Sequence, residues 1–572
     1  AHGIDSKLRC FVAQDAPLKY SVLTLRNASS APRRLSVTGY VEWWLDEAEA
    51  PAGLQIVTGV ALPRGALTAR IAFGAGFADK VAFFHVEAAQ VAHTADRREF
   101  VGRHRSLARP AALARASLSG SHGAAPAPCA ALQLRVELQP GEERELVFLL
   151  GVAEPNVLAA SQAVQQHGGT KGAARALRAL HAHWDTLLGS VRVATPNPAF
   201  DLFANGWLPY GALSLTFGEA PARQLQGALA ALHRSPATLR ETLLRAARAD
   251  IGAAGAAVED FLWLPWALQR YIAVSGDYGI LREPAGGDPS SGTRLAHDDL
   301  YQYCVHGLRG CLRFGEHGLP LLDARMHEDG QELPERAEDL RLAFLLAAVL
   351  QHFADVADRR ADFGFATTCR GAALALRAQA EAHGWNGEAY GEGDAATQAW
   401  AALAGAEPGR VAAALATQDS GPDARSAAWL GLALAGQGAA TRAWALAMEA
   451  PVRSLATPYF MMDGVASGWT CLLLTDALLG IERTADRLAL APLLPAAWEE
   501  LRLRYRAGRA DYDVQVRHAG QGEALLLDGQ PQADKVIEPL DDGREHKAEL
   551  YVERRPGDVL PGPHDKLPGL KT

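Results

Sequence analysis

The chain has 572 residues, 49% of them hydrophobic and 21% charged, with a formal net charge of −9. That length implies about two to four domains, and the composition is that of an ordinary globular protein able to bury a large core. An acidic balance without long basic runs argues against nucleic acid or an anionic membrane as the main partner.

The first 155 residues read as strands. Lys19 to Leu25 alternates apolar and polar, and Arg34 to Trp44 repeats the pattern. Leu132–Leu138 and Glu145–Leu150 flank a Pro-Gly-Glu turn at Pro140–Glu142, the mark of a hairpin. Short strands with turns between them predict an antiparallel sandwich over residues 1–155. Residues 156–195 are Ala- and Leu-rich with helical spacing and predict a helical linker. From 196 to 485 the apolar spacing is i, i+3, i+4, as in Phe261–Val274, Leu300–Phe314, Leu340–Ala357, Cys369–His383 and Ala466–Leu479. About ten to twelve helices fit this stretch, and periodicity alone leaves a closed α/α toroid and an open solenoid both standing. Strands return over 486–555, at Glu500–Tyr505, Tyr512–Val516, Leu525–Leu527 and Ala548–Val552, with turns at Asp528–Gly529 and Asp541–Gly543. Residues 556–572 are Pro/Gly-rich and predict a flexible tail.

Six cysteines (Cys10, Cys129, Cys304, Cys311, Cys369, Cys471) are scattered without a CxxC pair, the pattern of buried thiols in a reduced, cytoplasmic setting. No apolar run reaches about eighteen residues and no leader pattern opens the chain, so neither a membrane span nor a signal peptide is expected. The chain opens on Ala1, which fits a processed product or a piece of a longer protein. His306, His317 and His327 are spaced by 11 and 10 residues, which suits no local metal motif. No nucleotide-cofactor motif survives inspection either, so neither a metal nor a cofactor is expected.

Several strings carry a resemblance. They are FVGRHRSLARPAALARASLSG from Phe100, WDTLLGSVRVATPNPAFDLFANGWLPY from Trp184, EDFLWLPWALQRYIAVSGDYGILRE from Glu259 and RFGEHGLPLL from Arg313. With the LLDGQ and LDDGREH pieces near the C-terminus, they resemble glycoside hydrolase family 94, the inverting β-glycoside phosphorylases. Within that family they look most like the C-terminal phosphorylase-like module of cyclic β-1,2-glucan synthases. The resemblance implies an N-terminal β-supersandwich, a helical linker, an (α/α)6 barrel and a small C-terminal β-domain. It also implies a β-glucan or oligosaccharide as ligand, association with a membrane glucan synthase, and a homodimer.

An inverting phosphorylase needs one carboxylic acid to protonate the glycosidic oxygen, with phosphate in place of a base-activated water. The family's acid is the second Asp of a Gly-Asp-Trp-Asn-Asp-Gly loop after Gly-Leu-Pro-Leu. In GLPLLDARMHEDG (Gly318–Gly330) that position is Asp329, while the Trp becomes His327 and the Asn becomes Glu328. The sugar-binding string survives as Gln224, Leu225 and Gln226, but its Arg falls on Ala222 and its final Asp on Gly227. Each lost charged hydrogen bond to a sugar costs about 1.5–3 kcal/mol. Glu259 and Asp260 stand where the family carries an Asp pair, and Asp394, Gln398 and Trp400 match a further string. The phosphate-binding His aligns with Ser426 and the Thr with Gly464, so the resemblance puts phosphate binding in doubt.

Three readings follow. The chain cleaves or transfers β-glucan with Asp329 as acid, it binds glucan as an inactive scaffold of a synthase, or it is a phosphorylase with replaced phosphate ligands. The expected substrate contacts are Gln224, Glu259, Asp260, His327, Glu328 and Trp400. Trp400 serves equally well as core. Glu388 joins Glu259 and Asp260 as a candidate base.

Overall fold

Strand patterning in the N-terminal third and helical spacing in the middle both translate into the elements they predict. The computed structural model describes residues 2–45, 56–71, 80–124, 127–154, 156–214, 219–249, 251, 257–285, 299–321, 337–418, 423–455, 463–484, 486–520 and 522–554. The tail, and Asp329 with its neighbours, lie outside the described residues. Contacts divide the chain into two units, Ala1–Thr186 and Leu187–Thr572.

The first unit holds β1 (Ile4–Val12), β2 (Leu18–Asn27), β3 (Arg33–Glu42), β4 (Ile56–Ala61), β5 (Ala66–Ile71), β6 (Val81–Val86), β7 (Ala92–Asp96), the short helix α1 (Arg97–Val101), β8 (Pro128–Leu138) and β9 (Glu143–Ala153). A six-stranded antiparallel sheet runs β1-β2-β9-β6-β5-β4, and a three-stranded one runs β3-β8-β7. The sheets face each other across a shared core in which Leu67, Phe84 and Phe148 meet Leu132, Leu134 and Val136. Helices α2 (Val157–His167) and α3 (Gly169–Gly189, continuing past the unit boundary) cover the outer face of the larger sheet. Ala160, Val164, Ala173 and Ala176 pack there on Tyr20, Phe83 and Leu149. Covered on both faces, β6 reads VAFFHV, a continuous apolar run rather than an alternation.

One expectation is corrected. Residues 139–142 do turn, with the Glu142 amide donating to the Gln139 carbonyl at 3.0 Å, but β8 and β9 enter different sheets and form no hairpin. Asn27 explains the divergence. Its backbone accepts from Gly141 and donates to Glu142, while its side chain donates to Leu138 O at 3.1 Å. This seats the turn at the end of β2, so β9 pairs with β2 from Arg26↔Glu143 onward. Cys10 is a second correction, since it lies exposed on edge strand β1; the other five cysteines are buried.

His85 in β6 is 5% exposed and its Nδ1 has no hydrogen-bond partner. Burial, and then the nearby Arg64 charge, push its imidazole down to about 4. The unfolded chain takes up this proton near pH 6.5 while the folded chain refuses it. Stability from this group is therefore complete above about pH 6.5 and falls by about 3 kcal/mol as the pH drops toward 4. Denaturant titrations across that range should show a slope steeper by this amount in wild type than in His85→Leu. Parallel curves would refute it.

In the second unit β10 (Val191–Ala194), inside the stretch expected to be linker, pairs with a C-terminal strand. The helices are α4 (Pro198–Leu202), α5 (Leu208–Ser214), α6 (Pro221–Ala228), α7 (Pro236–Arg248), α8 (Val258–Ser275), α9 (Leu300–Cys311), α10 (Leu340–Arg359), α11 (Phe363–His383), α12 (Ala395–Leu403), α13 (Pro408–Ala416), α14 (Ala424–Gly436), α15 (Ala440–Leu455) and α16 (Gly464–Leu472). A π turn, Leu473–Leu478, extends α16. Alternate helices pack in succession: α6 on α8, α8 on α10, α10 on α12, α12 on α14, α14 on α16, and α16 back on α6. Gly468 permits the last approach, because a Cβ there would stand 2.2 Å from Gln226 O. By length and composition α10 is the one described helix that could cross a membrane, yet 72% of its apolar window is buried. Phe344, Leu346 and Phe353 account for that apolarity as core.

The chain ends with β11 (Ile481–Arg483), β12 (Leu488–Leu490), β13 (Glu500–Ala507), β14 (Ala510–His518), β15 (Ala524–Leu527), β16 (Gln530–Pro531), β17 (Val536–Ile537) and β18 (Glu545–Val552). One sheet runs β10-β13-β14-β18-β15-β16 and a small one β11-β12-β17. Leu501, Leu503 and Tyr505 share one continuous core with Leu473, Leu474 and Leu478, so this β-domain and the helices fold on each other.

Candidate functional site

Polar groups gather at the N-terminal ends of the alternate helices. Asp339, Asp394, Asp423 and Asp463 cap α10, α12, α14 and α16, each accepting a first-turn amide at 2.6 to 3.0 Å. Aspartate is a preferred cap because it satisfies amides that have no partner within the helix. These carboxylates also occupy the positive helix ends that would otherwise attract an anion. Ser426, at the position expected from the family's phosphate-binding His, donates its hydroxyl to Asp423 at 2.7 Å. Burial works against the Asp423 charge, but hydrogen bonds from the Ser426 amide and hydroxyl hold its carboxyl below the usual range. Gly464, at the Thr position, opens α16 beside Asp463, whose carboxylate also takes an Arg223 contact at 3.3 Å.

Glu259, in the first turn of α8, is held by Arg341 in the first turn of α10. Arg341 donates Nη1 to Oε1 at 3.0 Å and Nη2 to Oε2 at 2.7 Å. Such a fork fixes both carboxylate oxygens. Desolvation opposes the Arg341 charge, yet Glu259 keeps its guanidinium above the usual arginine range. Asp260 is exposed in the same turn. Gln224 in α6 donates to Glu219 O at 2.7 Å and accepts from Arg245 at 3.5 Å. Ala222 and Gly227, where the family carries Arg and Asp, are buried. Glu388 is exposed on a turn whose amide donates to Asn386. His327, Glu328 and Asp329 lie outside the described residues.

The flanks of that segment are described. Residues 313–321 fold back on themselves through the Phe314↔Pro320 bridge, and Leu321 then bridges Glu338 just before α10. Glu338 accepts the His317 amide at 2.8 Å and pairs with the His317 ring at 2.7 Å. Burial works against its charge, but the His317 contacts keep this carboxyl below the usual range. A Cβ on Gly315 would stand 2.4 Å from Glu338 Oε1, so a larger residue there would push the Glu338 side chain off His317. The two described flanks of the segment carrying Asp329 therefore meet three residues before Arg341. Nothing in the local pattern around Glu338 marks it; only the fold brings it to His317. His306 lies on the Gln302 carbonyl at 2.9 Å, apart from that pair.

Trp400 is 1% exposed. It lies in a cluster with Trp263 and Trp266 of α8, Trp429 of α14 and Trp469 of α16, with centroid separations of 5.0 to 6.4 Å. Gln398 bonds the Tyr390 amide and carbonyl, at 2.9 and 2.7 Å, and so braces the turn before α12. A groove of about 1140 Å³ lies in the first unit beside Gln133 and Arg135 and includes none of these groups.

A family model described as Glycosyl hydrolase 94, supersandwich domain, matches residues 1–169. One described as Glycosyl hydrolase 94 superfamily, catalytic domain, matches residues 241–413. The chain is 30% identical over 427 residues to the cyclic beta-(1,2)-glucan synthase NdvB of Rhizobium meliloti, covering 67% of this chain and 15% of the synthase. It is 25% identical over 406 residues to the cellobionic acid phosphorylase of Neurospora crassa, covering 65% of this chain and 50% of that enzyme. It thus spans half or less of these relatives. A solved structure provisionally described as a kojibiose phosphorylase from the human microbiome aligns with a TM-score of 0.57 at 9% identity, over 96% of this chain and 81% of that one, a likeness of fold.

Proposed function

Because the chain belongs to glycoside hydrolase family 94, we propose that its alternate helices form the inner ring of an (α/α)6 barrel that acts on β-glucan, β-1,2-linked in the first instance, with Asp329 as general acid. The observation that carries this reading is the convergence at the start of α10. There Leu321 bridges Glu338, three residues before Arg341, the partner of Glu259. On this reading Asp329 supplies the acid from the segment between those two residues, and Glu259 a substrate contact.

Phosphate fits this end poorly. The helix termini that could bind it are capped by Asp394, Asp423 and Asp463, and like charge repels. Water or a sugar hydroxyl is then the acceptor. Hydrolysis with inversion asks for a base about 6.5–9.5 Å from the acid. Glu259 is a weak candidate while Arg341 neutralises it; Asp260 and Glu388 remain as alternatives.

A second reading, an inactive glucan-binding module of a synthase that docks on its membrane-bound partner or pairs as a homodimer, is favoured by one observation. The buried Ala222 and Gly227 offer a sugar none of the charged groups the family places there. The test is incubation of wild type and Asp329→Asn with β-1,2-, β-1,3- and β-1,4-linked glucans, with and without phosphate. The first reading expects product without phosphate, reduced about a hundredfold in the variant. Saturable binding without product would establish the second, and sugar phosphate formed only with phosphate would overturn both.

A further inference from the structure

The six-stranded sheet of the first unit ends on β4 at one side and on β1 at the other. Along β4 the Val57↔Ala124 bridge and a bond from the Thr58 amide to the Gly123 carbonyl at 3.0 Å cover the edge. Along β1 every residue from Asp5 to Cys10 is exposed, on both faces of the strand. Leu8 and Val12 keep 62% and 56% of their surface. Folded proteins usually keep an open edge short or cover it, yet β1 runs nine residues.

The ladder decides which backbone groups face outward. The Ala28 amide bonds Gly3 O at 2.8 Å and the Ala13 amide bonds Leu18 O at 2.8 Å, one at each end of the register Ile4↔Asn27 to Val12↔Lys19. Odd-numbered residues therefore bond β2, and the N–H and C=O of Ser6, Leu8, Cys10 and Val12 point away from it. Among the described residues none bonds these outward groups. Asp5, Lys7 and Arg9 lie on one face of the strand, and Ile4, Ser6, Leu8 and Cys10 on the other.

A copy of β1 can add antiparallel only where even-numbered residues oppose even-numbered ones. Centred on Asp5, Lys7 or Arg9, such a register sets a charge against its own twin, and centred on Leu8 it sets Lys7 against Arg9. Centred on Cys10, no charge is answered by an opposite one. Centred on Ser6, Asp5 faces Lys7 and Ile4 faces Leu8 on both sides of the axis.

We propose that β1 pairs with β1 of a second copy of this chain, antiparallel about a two-fold axis at Ser6, so that two sheets become one. Ser6 exchanges both backbone bonds with its twin. The Leu8 amide donates to the Ile4 carbonyl across the axis, since a carbonyl accepts two bonds. This gives a surface to the homodimer of the second reading above, and it holds whether or not the chain cleaves glucan. A pairing from Ile4 to Leu8 is short against the about 20–30 residues a side of a stable interface, so the dimer is weak and concentration-dependent.

Sedimentation velocity of the intact chain, from about 1 to 500 µM, should show monomer passing into dimer. Lys7→Glu sets like charges across the axis and should weaken the dimer about tenfold, and adding Asp5→Lys restores opposite pairs and the affinity. Ser6→Pro removes an outward N–H without touching the β2 ladder and should abolish dimerisation. Circular dichroism shows whether each variant is folded, and the exposed Lys7→Glu still decides if Ser6→Pro unfolds. In a Cys10→Ser background, Ser6→Cys should form a disulfide-linked dimer on mild oxidation, because the Cα atoms of a bonded antiparallel pair stand about 5.5 Å apart. Native Cys10, remote from its twin in this register, should not. Monomer at every concentration, a dimer indifferent to both Lys7→Glu and Ser6→Pro, or cross-linking through Cys10 would overturn the proposal, and none of these results bears on whether Asp329 is an acid.

Discussion

Asp476→Ala is expected to lower the stability of the second unit by about 3 kcal/mol, the cost of leaving the partly buried Arg270 cation and the buried His233 ring without their partner. Asp476 lies in the π turn after α16 and is contacted by three groups. His233 approaches at 3.0 Å, the Thr475 hydroxyl donates at 2.8 Å, and Arg270 forms an ion pair with it. His233 in turn meets the Tyr505 hydroxyl at 3.2 Å, so the network ties α8 and α16 to strand β13. Desolvation alone would raise the Asp476 pKa. The Arg270 and His233 charges and hydrogen bonds win, and hold it at about 2. With the folded value depressed, this stability is fully present above the unfolded value of about 3.9 and is lost as the pH falls through about 2. Helical circular dichroism in denaturant, at pH 7 and at pH 3, reads both effects. Asp476→Asn keeps the shape and removes the charge, and should fall between wild type and alanine. The double change Asp476→Leu with Arg270→Met should recover much of the loss, because replacing both members of a buried pair is far cheaper than orphaning one. A single-variant loss below about 1 kcal/mol would show that water reaches the network and screens it.

That network also shows where a sequence stops being legible. The alternation in Lys19–Leu25 and the apolar spacing in Leu340–Ala357 are local properties, and both became the elements they predict, β2 and α10. His233 and Asp476 are 243 residues apart, and no local pattern links them. Glu338 is similarly hidden, because its meaning lies in the His317 contacts that a folded-back loop creates. The Pro-Gly-Glu turn was visible but its consequence was not. A turn fixes the reversal of the chain, whereas Asn27, more than a hundred residues earlier, decides which sheet β9 joins. For the candidate site, aligned residue types located Glu259, but its neutralisation by Arg341, 82 residues away, needed three dimensions.

The indole cluster supplies the other large effect. Trp263→Ala is expected to cost about 3–5 kcal/mol, the range for deleting a large buried aromatic. Trp263 is 2% exposed and lies 5.9 Å from Trp400, 6.2 Å from Trp429 and 5.5 Å from Trp469, so one ring on α8 joins α12, α14 and α16. Neighbouring indoles are rigid and cannot collapse into the space, which keeps the cavity open and the cost high. Trp263→Phe retains an aromatic body and should lose clearly less. Thermal unfolding followed by near-ultraviolet circular dichroism, which reports the packed indoles, distinguishes the two. Equal losses would mean that the indole's extra bulk carries the packing, and a small loss in both would mean that the helices close up around the gap. The functional consequence follows from where the rings are. Five tryptophans occupy the space between these helices, so under the function proposed above a glucan would be handled at the N-terminal ends, where Glu259, Arg341 and Asp463 stand. Trp263→Phe should therefore leave glucan binding at that end intact while lowering the melting temperature, and a parallel loss of both would place the sugar deeper, against the indoles.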